Sequence, residues 1–240
     1  MKNNYLAVAC VMIGILADPA AGQVAHNVWT DLLRRNVSQN GNVDYRTIIK
    51  EKKSFESYLN LLSDNPPQSD WSVNERKAYW INAYNAFTVS LIIQNYPVKS
   101  IKDIGGLFKS PWDIGFIKIG GATYTLNRIE HEILRKEFDD PRIHFAIVCA
   151  SRSCPNLRNE AFEPSNLDRQ LEEQATAFIN DPSKNRIYAD EIKISKIFDW
   201  FEKDFTGKGR LIDFLNKYAR ITIDPAASVS YLSYDWSLNE

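Results

Sequence analysis

The chain has 240 residues, 44% hydrophobic and 12% aromatic, with 29 Lys and Arg against 30 Asp and Glu. That composition is that of a globular protein long enough to build a core without staples. A formal net charge of −1 supplies no long-range positive field, which argues against nucleic acid or an anionic bilayer as partner.

Residues 1–22 place one lysine ahead of an apolar run and then small residues around Ala20, Ala21 and Gly22. This is the pattern of a secretory signal, with a greasy stretch too short to span a bilayer, so we expect an exported protein with no integral membrane segment after processing. The remainder, 23–240, shows no repeat or low-complexity linker and reads as one domain with a helical amino-terminal part. Removing the leader removes Cys10 and leaves Cys149 and Cys154, which an oxidising compartment could join.

In chain order, apolar spacing predicts helices over Ala25 to Arg35 and Tyr45 to Leu62. Ser72 and Glu75 form a capping box that opens a long helix, bounded by Pro97. Alternating residues around Gly120 and Gly121 predict a hairpin, and Leu126 to Phe138 returns to helical spacing. Arg142 to Cys149 reads as a buried strand, Ser165 to Asn180 as a helix, and RIYADEIKIS as a second hairpin. Two short helices around FDWFEKDF and RLIDFLNKY precede a terminal strand containing VSYLSYDW. The expected fold is therefore α+β, a single domain with several helices packed around a small mixed or antiparallel sheet.

The long helix carries apolar arcs on opposite sides, so Asn82 and Asn85 fall on a core face. There they either fix packing by bonding neighbouring backbone or line a pocket as orienting groups. On the next helix Glu130 lies inside the buried stripe and His131 at its edge. A core glutamate must be paired, with Arg142 or Arg152 as candidates, or hold its proton and act as a polarising group. Strand alternation would point His144 to the face opposite Cys149, while the loop Ala150–Ser151–Arg152–Ser153 can fold Cys154 back beside the strand end. Pro155 favours the first turn of a helix, which would put Cys154 at an N-cap where a thiolate is stabilised. With His144 or His131 as base and Glu130 as orienting acid, the parts of a cysteine–histidine–acid site are present; a Cys149–Cys154 disulfide is the competing reading. Asp235 could orient a histidine or cap a turn. Asp199 and Asp204, between aromatics, read as surface residues.

Three histidines with no HExxH or CxxC pattern give no expectation of a metal, and the absence of a phosphate-binding glycine loop gives none of a nucleotide cofactor. The segments YWINAYNAFTV, TLNRIEHEILR, DDPRIHFAIVCASRSCPNL, FDWFEKDF and YLSYDWSLN, in this order between Trp71 and Asn239, resemble the DUF547 family of uncharacterised proteins, which includes exported bacterial members. The domain is in turn similar to papain- and transglutaminase-like cysteine hydrolases. That similarity implies a nucleophile beginning a helix and a histidine on a strand, although here the histidine comes first.

The expected function is a cysteine-dependent hydrolase or acyltransferase acting on an amide or acyl bond of a small molecule or peptide. Its catalytic set would be Cys154, His144, Glu130, Cys149 and His131, and its substrate-binding set Asn82, Asn85, Ser151, Arg152, Ser153 and Asp235. The alternative is a non-catalytic periplasmic ligand- or peptide-binding module with a Cys149–Cys154 disulfide.

Overall fold

A computed structural model describes residues 24–106 and 109–240. The leader expected at 1–22 lies outside the described residues. Four helices open the fold: α1 (Asn27–Asn36), α2 (Tyr45–Lys50), α3 (Lys52–Asp64) and α4 (Val73–Asn95). The single helix expected over Tyr45 to Leu62 is divided at Glu51, whose carboxylate turns back to accept from Arg35 at 3.0 Å and from Asn36 at 3.3 Å. The capping box at Ser72 is present in both directions, 2.6 Å from the Ser72 N–H to Glu75 and 3.2 Å from the Glu75 N–H to the Ser72 hydroxyl. As its two apolar arcs require, α4 is buried nearly all round and forms the axis of the larger core, against Trp29, Phe55, Tyr58 and Ile129.

The first hairpin pairs β1 (Ile117–Ile119) with β2 (Ala122–Tyr124) through a turn in which Gly120 and Gly121 both have positive φ, 56° and 77°. A side chain at Gly120 would also meet Pro66 at 2.8 Å, so the residue is constrained twice. The helix expected over Leu126 to Phe138 is wound as a π-helix over Arg128–Leu134 before closing into α5 (Arg135–Phe138). Then follow α6 (Leu167–Ile179), β3 (Arg186–Ile187), β4 (Glu191–Ile194), α7 (Ile197–Trp200), α8 (Glu202–Thr206), α9 (Leu211–Leu215) and β5 (Ser228–Tyr231). Strand β4 pairs antiparallel with β3 and parallel with β5, a small mixed sheet as expected. It belongs to a second core of Phe145, Phe178, Phe198, Phe205 and Phe214. The fold is α+β.

Two expectations are corrected. Arg142 to Cys149 is not a strand: Asp140 caps the Arg142 N–H at 3.2 Å, Pro141 starts a short 3-10 turn over Pro141–Phe145, and an irregular segment follows. Side-chain amides take the place of a neighbouring strand. Gln174 donates to the Phe145 carbonyl at 3.1 Å, while Asn85 donates to the Ala146 carbonyl at 2.8 Å and accepts from the Val148 N–H at 2.9 Å. The terminal strand stops at Tyr231, and further on Asp235 turns the chain by accepting from the N–H and hydroxyl of Ser237 at 2.8 and 2.6 Å.

Candidate functional site

A cleft of about 190 Å3 opens where the two cores meet. Its walls come from α4 (Tyr84), the π-helix (Glu130, His131), the turn at His144, the cysteine loop, the α7–α8 junction (Trp200, Phe201) and the chain after β5 (Tyr234, Trp236). All five residues expected to be catalytic, Cys154, His144, Glu130, Cys149 and His131, line it. Alternation had separated His144 from Cys149, but without a strand the parity argument lapses, and both reach one cavity.

His144 is the best-defined group. Its ring stacks on Phe201 at 4.1 Å, and Nε2 lies 2.7 Å from Asp204 on α8. Arg135 holds the same carboxylate through two bonds of 2.6 and 3.0 Å. Burial pushes Asp204 up, but the bonds from His144 and Arg135 together outweigh it and hold the carboxyl well below the usual range. An ionised carboxylate only accepts, so Nε2 of His144 carries the proton and Nδ1 keeps the lone pair. Burial lowers the His144 pKa in spite of Asp204, which favours the neutral ring with a free lone pair. Nδ1 has no hydrogen-bond partner among the described residues. Asp204, which reads from the sequence as a surface residue, is instead half-buried against His144.

The carboxylate in contact with His144 is thus Asp204, while Glu130 faces Tyr84. Glu130 accepts from the Tyr84 hydroxyl at 3.0 Å, and burial pushes it up to about 7. Neither Arg142 nor Arg152 is its partner: Arg142 binds Asp140 at 2.9 Å, Asp168 at 2.8 Å and Glu172 at 2.6 Å. His131 receives a bond from Arg135 on Nδ1 at 3.0 Å, so its proton sits on Nε2. Burial and then the Arg135 charge lower its pKa.

The cysteines are joined as a disulfide. No helix starts at Pro155; the next is α6, so the N-cap placement of Cys154 is also corrected. What approaches its sulfur instead is one backbone donor, the Cys149 N–H, at 2.8 Å. Ala150 between them has φ of 56°, a left-handed conformation that bends the loop sharply. Ser151 and Tyr234 hydroxyls lie 3.2 and 3.3 Å from the Cys149 sulfur.

The residues expected to bind substrate divide into two groups. Asn82 and Asn85 do not line the cleft. Asn82 clamps Phe162, donating to its carbonyl at 2.8 Å and accepting from its N–H at 3.0 Å, and Asn85 holds the segment after His144 in the same way. Ser151, Arg152, Ser153 and Asp235 line a second cleft of about 560 Å3 on the other side of the cysteine loop. Cys154 and Pro155 line both. Asp235 faces no histidine; it caps its turn, and its N–H donates to the Ser153 hydroxyl at 2.8 Å. Among the described residues no cluster of His, Cys, Asp and Glu could hold a metal, and no helix is long and apolar enough to cross a membrane.

The class defined so far is an α+β domain with an imidazole–carboxylate pair and two sulfurs around one cleft. Residues 68–179 match the model of the family DUF547, described as a protein of unknown function. The match takes in Tyr84, Glu130, His131, His144 and both cysteines, and ends before Asp204, Trp200 and Tyr234. No curated protein and no solved structure matches the chain.

Proposed function

We propose that this protein is an exported cysteine-dependent hydrolase or acyltransferase acting on an amide or acyl bond, active when the Cys149–Cys154 bond is reduced. The observation that carries the reading is the His144–Asp204 pair on the same cleft as Cys154. The Cys154 thiol gives its proton to Nδ1 of His144, and the sulfur adds to the carbonyl carbon. Collapse of the adduct expels the leaving group, which takes the proton from His144, and leaves a thioester. Water, or a second acceptor, then attacks the thioester with His144 again as base and restores the thiol. Asp204 holds the imidazole in the tautomer this needs. The Cys149 N–H beside the Cys154 sulfur favours a thiolate over a thiol. Glu130, pushed up to about 7 by burial, holds its proton more readily than an ordinary carboxyl and accepts from Tyr84 rather than orienting His144.

The test is intact-mass analysis after incubation with p-nitrophenyl acetate, with and without prior reduction by dithiothreitol. The reduced protein gains one acetyl group on the Cys154 peptide and the disulfide form gains none there. Absence of that adduct in the reduced protein removes the nucleophile. The disulfide itself favours a second reading, a non-catalytic binding module in which the sulfurs staple the loop. In that case reduction yields no adduct and Cys154→Ser alters stability alone.

A further inference from the structure

The second cleft has a composition unlike the first. Arg152 and Lys184 are offset there by Asp181 and Asp235, so the lining favours neither anions nor cations. Most of its charged and hydroxyl groups are occupied. Asp181 accepts from the Ser183 N–H and hydroxyl, Asp235 from Ser237, and Lys184 donates to the Arg152 carbonyl. Four side chains make no hydrogen bond among the described residues: the guanidinium of Arg152 and the amides of Asn40, Asn42 and Asn156.

A primary amide presents a donor and an acceptor side by side, which matches the carbonyl and N–H of a peptide unit. The protein uses that match internally: Asn82 on Phe162, Asn85 on Ala146 and Val148, and Asn216 on Ile223 at 2.9 and 2.8 Å. Three open amides along a neutral cleft thus offer the same contact to an outside chain. The other cleft, across Cys154, is walled by Tyr84, Trp112, Trp200, Phe201, Tyr234 and Trp236 and suits an apolar side chain.

We propose that the two clefts together bind an extended peptide. An aromatic or aliphatic side chain enters the Trp200–Tyr234 cleft, the hydrophilic residues next to it lie along Asn40, Asn42 and Asn156, and the amide bond between them faces Cys154. The inference rests on the site proposed at Cys154 and names its substrate class. Its test uses the disulfide form, in which acyl transfer cannot occur, so it stands or falls separately from the chemistry. Calorimetry compares N-acetyl-phenylalanine amide with the tetrapeptide N-acetyl-phenylalanyl-seryl-seryl-glycine amide. The tetrapeptide binds about tenfold more tightly, the increment of a few added hydrogen bonds. The double variant Asn42→Ala, Asn156→Ala erases the increment and leaves the affinity for the single-residue amide unchanged. Should that variant fold poorly, Asn40→Ala at an exposed position serves instead and reduces the increment. Equal affinities for the two probes, binding of neither, or an increment that survives these substitutions overturns the proposal.

Discussion

Two histidines are sealed into this protein to nearly the same degree, His26 at 3% and His144 at 4% exposure, and they do different things. His26, at the head of α1, has its Nδ1 2.7 Å from the Tyr58 hydroxyl, and burial lowers its pKa to about 4. A neutral partner and a wholly internal setting make it a packing element. His144 has a carboxylate at the same distance, an arginine behind that carboxylate, and a nitrogen without a bond partner on a cleft. Burial alone does not create a chemical group. An ionised partner that fixes the tautomer, together with access to one nitrogen, does.

The contrast has measurable consequences. Asp204→Ala strips two cationic or polar donors of their acceptor and lowers unfolding free energy by about 3 kcal/mol, with Asp204→Asn recovering part; urea denaturation checks it. A loss no greater than that of an exposed aspartate such as Asp199 would mean that His144 is held by packing alone. His26 governs acid sensitivity. Its folded pKa lies below the unfolded value, so its contribution is complete above pH 6.5 and is lost as pH falls toward about 4, amounting to about 3 kcal/mol. Melting temperature against pH should therefore flatten over that window in His26→Gln.

Glu130 acts in the opposite direction. Its folded pKa is raised to about 7, so stability is greatest below pH 4.5 and declines as pH rises to 7. Glu130→Gln keeps an acceptor for Tyr84 and stabilises the protein at pH 8 by about 2 kcal/mol, with little effect at pH 4.5. The smallest effect belongs to Tyr58→Phe, which removes the neutral partner of His26 and costs about 1 kcal/mol in the same urea assay.

What the sequence revealed follows the range of the forces involved. The Ser72 box, the all-round burial of α4 and the glycine turn of the first hairpin are written in neighbouring residues, and each formed as expected. The stretch from Arg142 was misread because an apolar run looks the same in a buried strand as in a buried irregular segment. The difference lies in Asn85 and Gln174, distant in the chain, which satisfy its backbone. The burial of Asn82 and Asn85 was legible; which of their two roles applied depended on what the fold brought to them. Asp204 had a usable signal. Phe198, Phe201 and Phe205 mark the buried stripe, and a residue three beyond Phe201 falls on it, so a carboxylate there needed a cationic or imidazole partner.

The stretch that follows β5 does more than complete a wall. Its Ser237 and Asp235 carbonyls accept from Arg152 and Ser153, Asn239 receives the Tyr45 hydroxyl at 2.6 Å and binds the Ala150 carbonyl, and Leu238 reaches Lys99. The cysteine loop is thereby laced to the first and last portions of the described chain at once. A fragment excised at the limits of the family match, 68–179, would keep both sulfurs and His144 yet lose the lacing and the carboxylate. The unit that recurs in sequence is smaller than the unit that can hold the loop in shape.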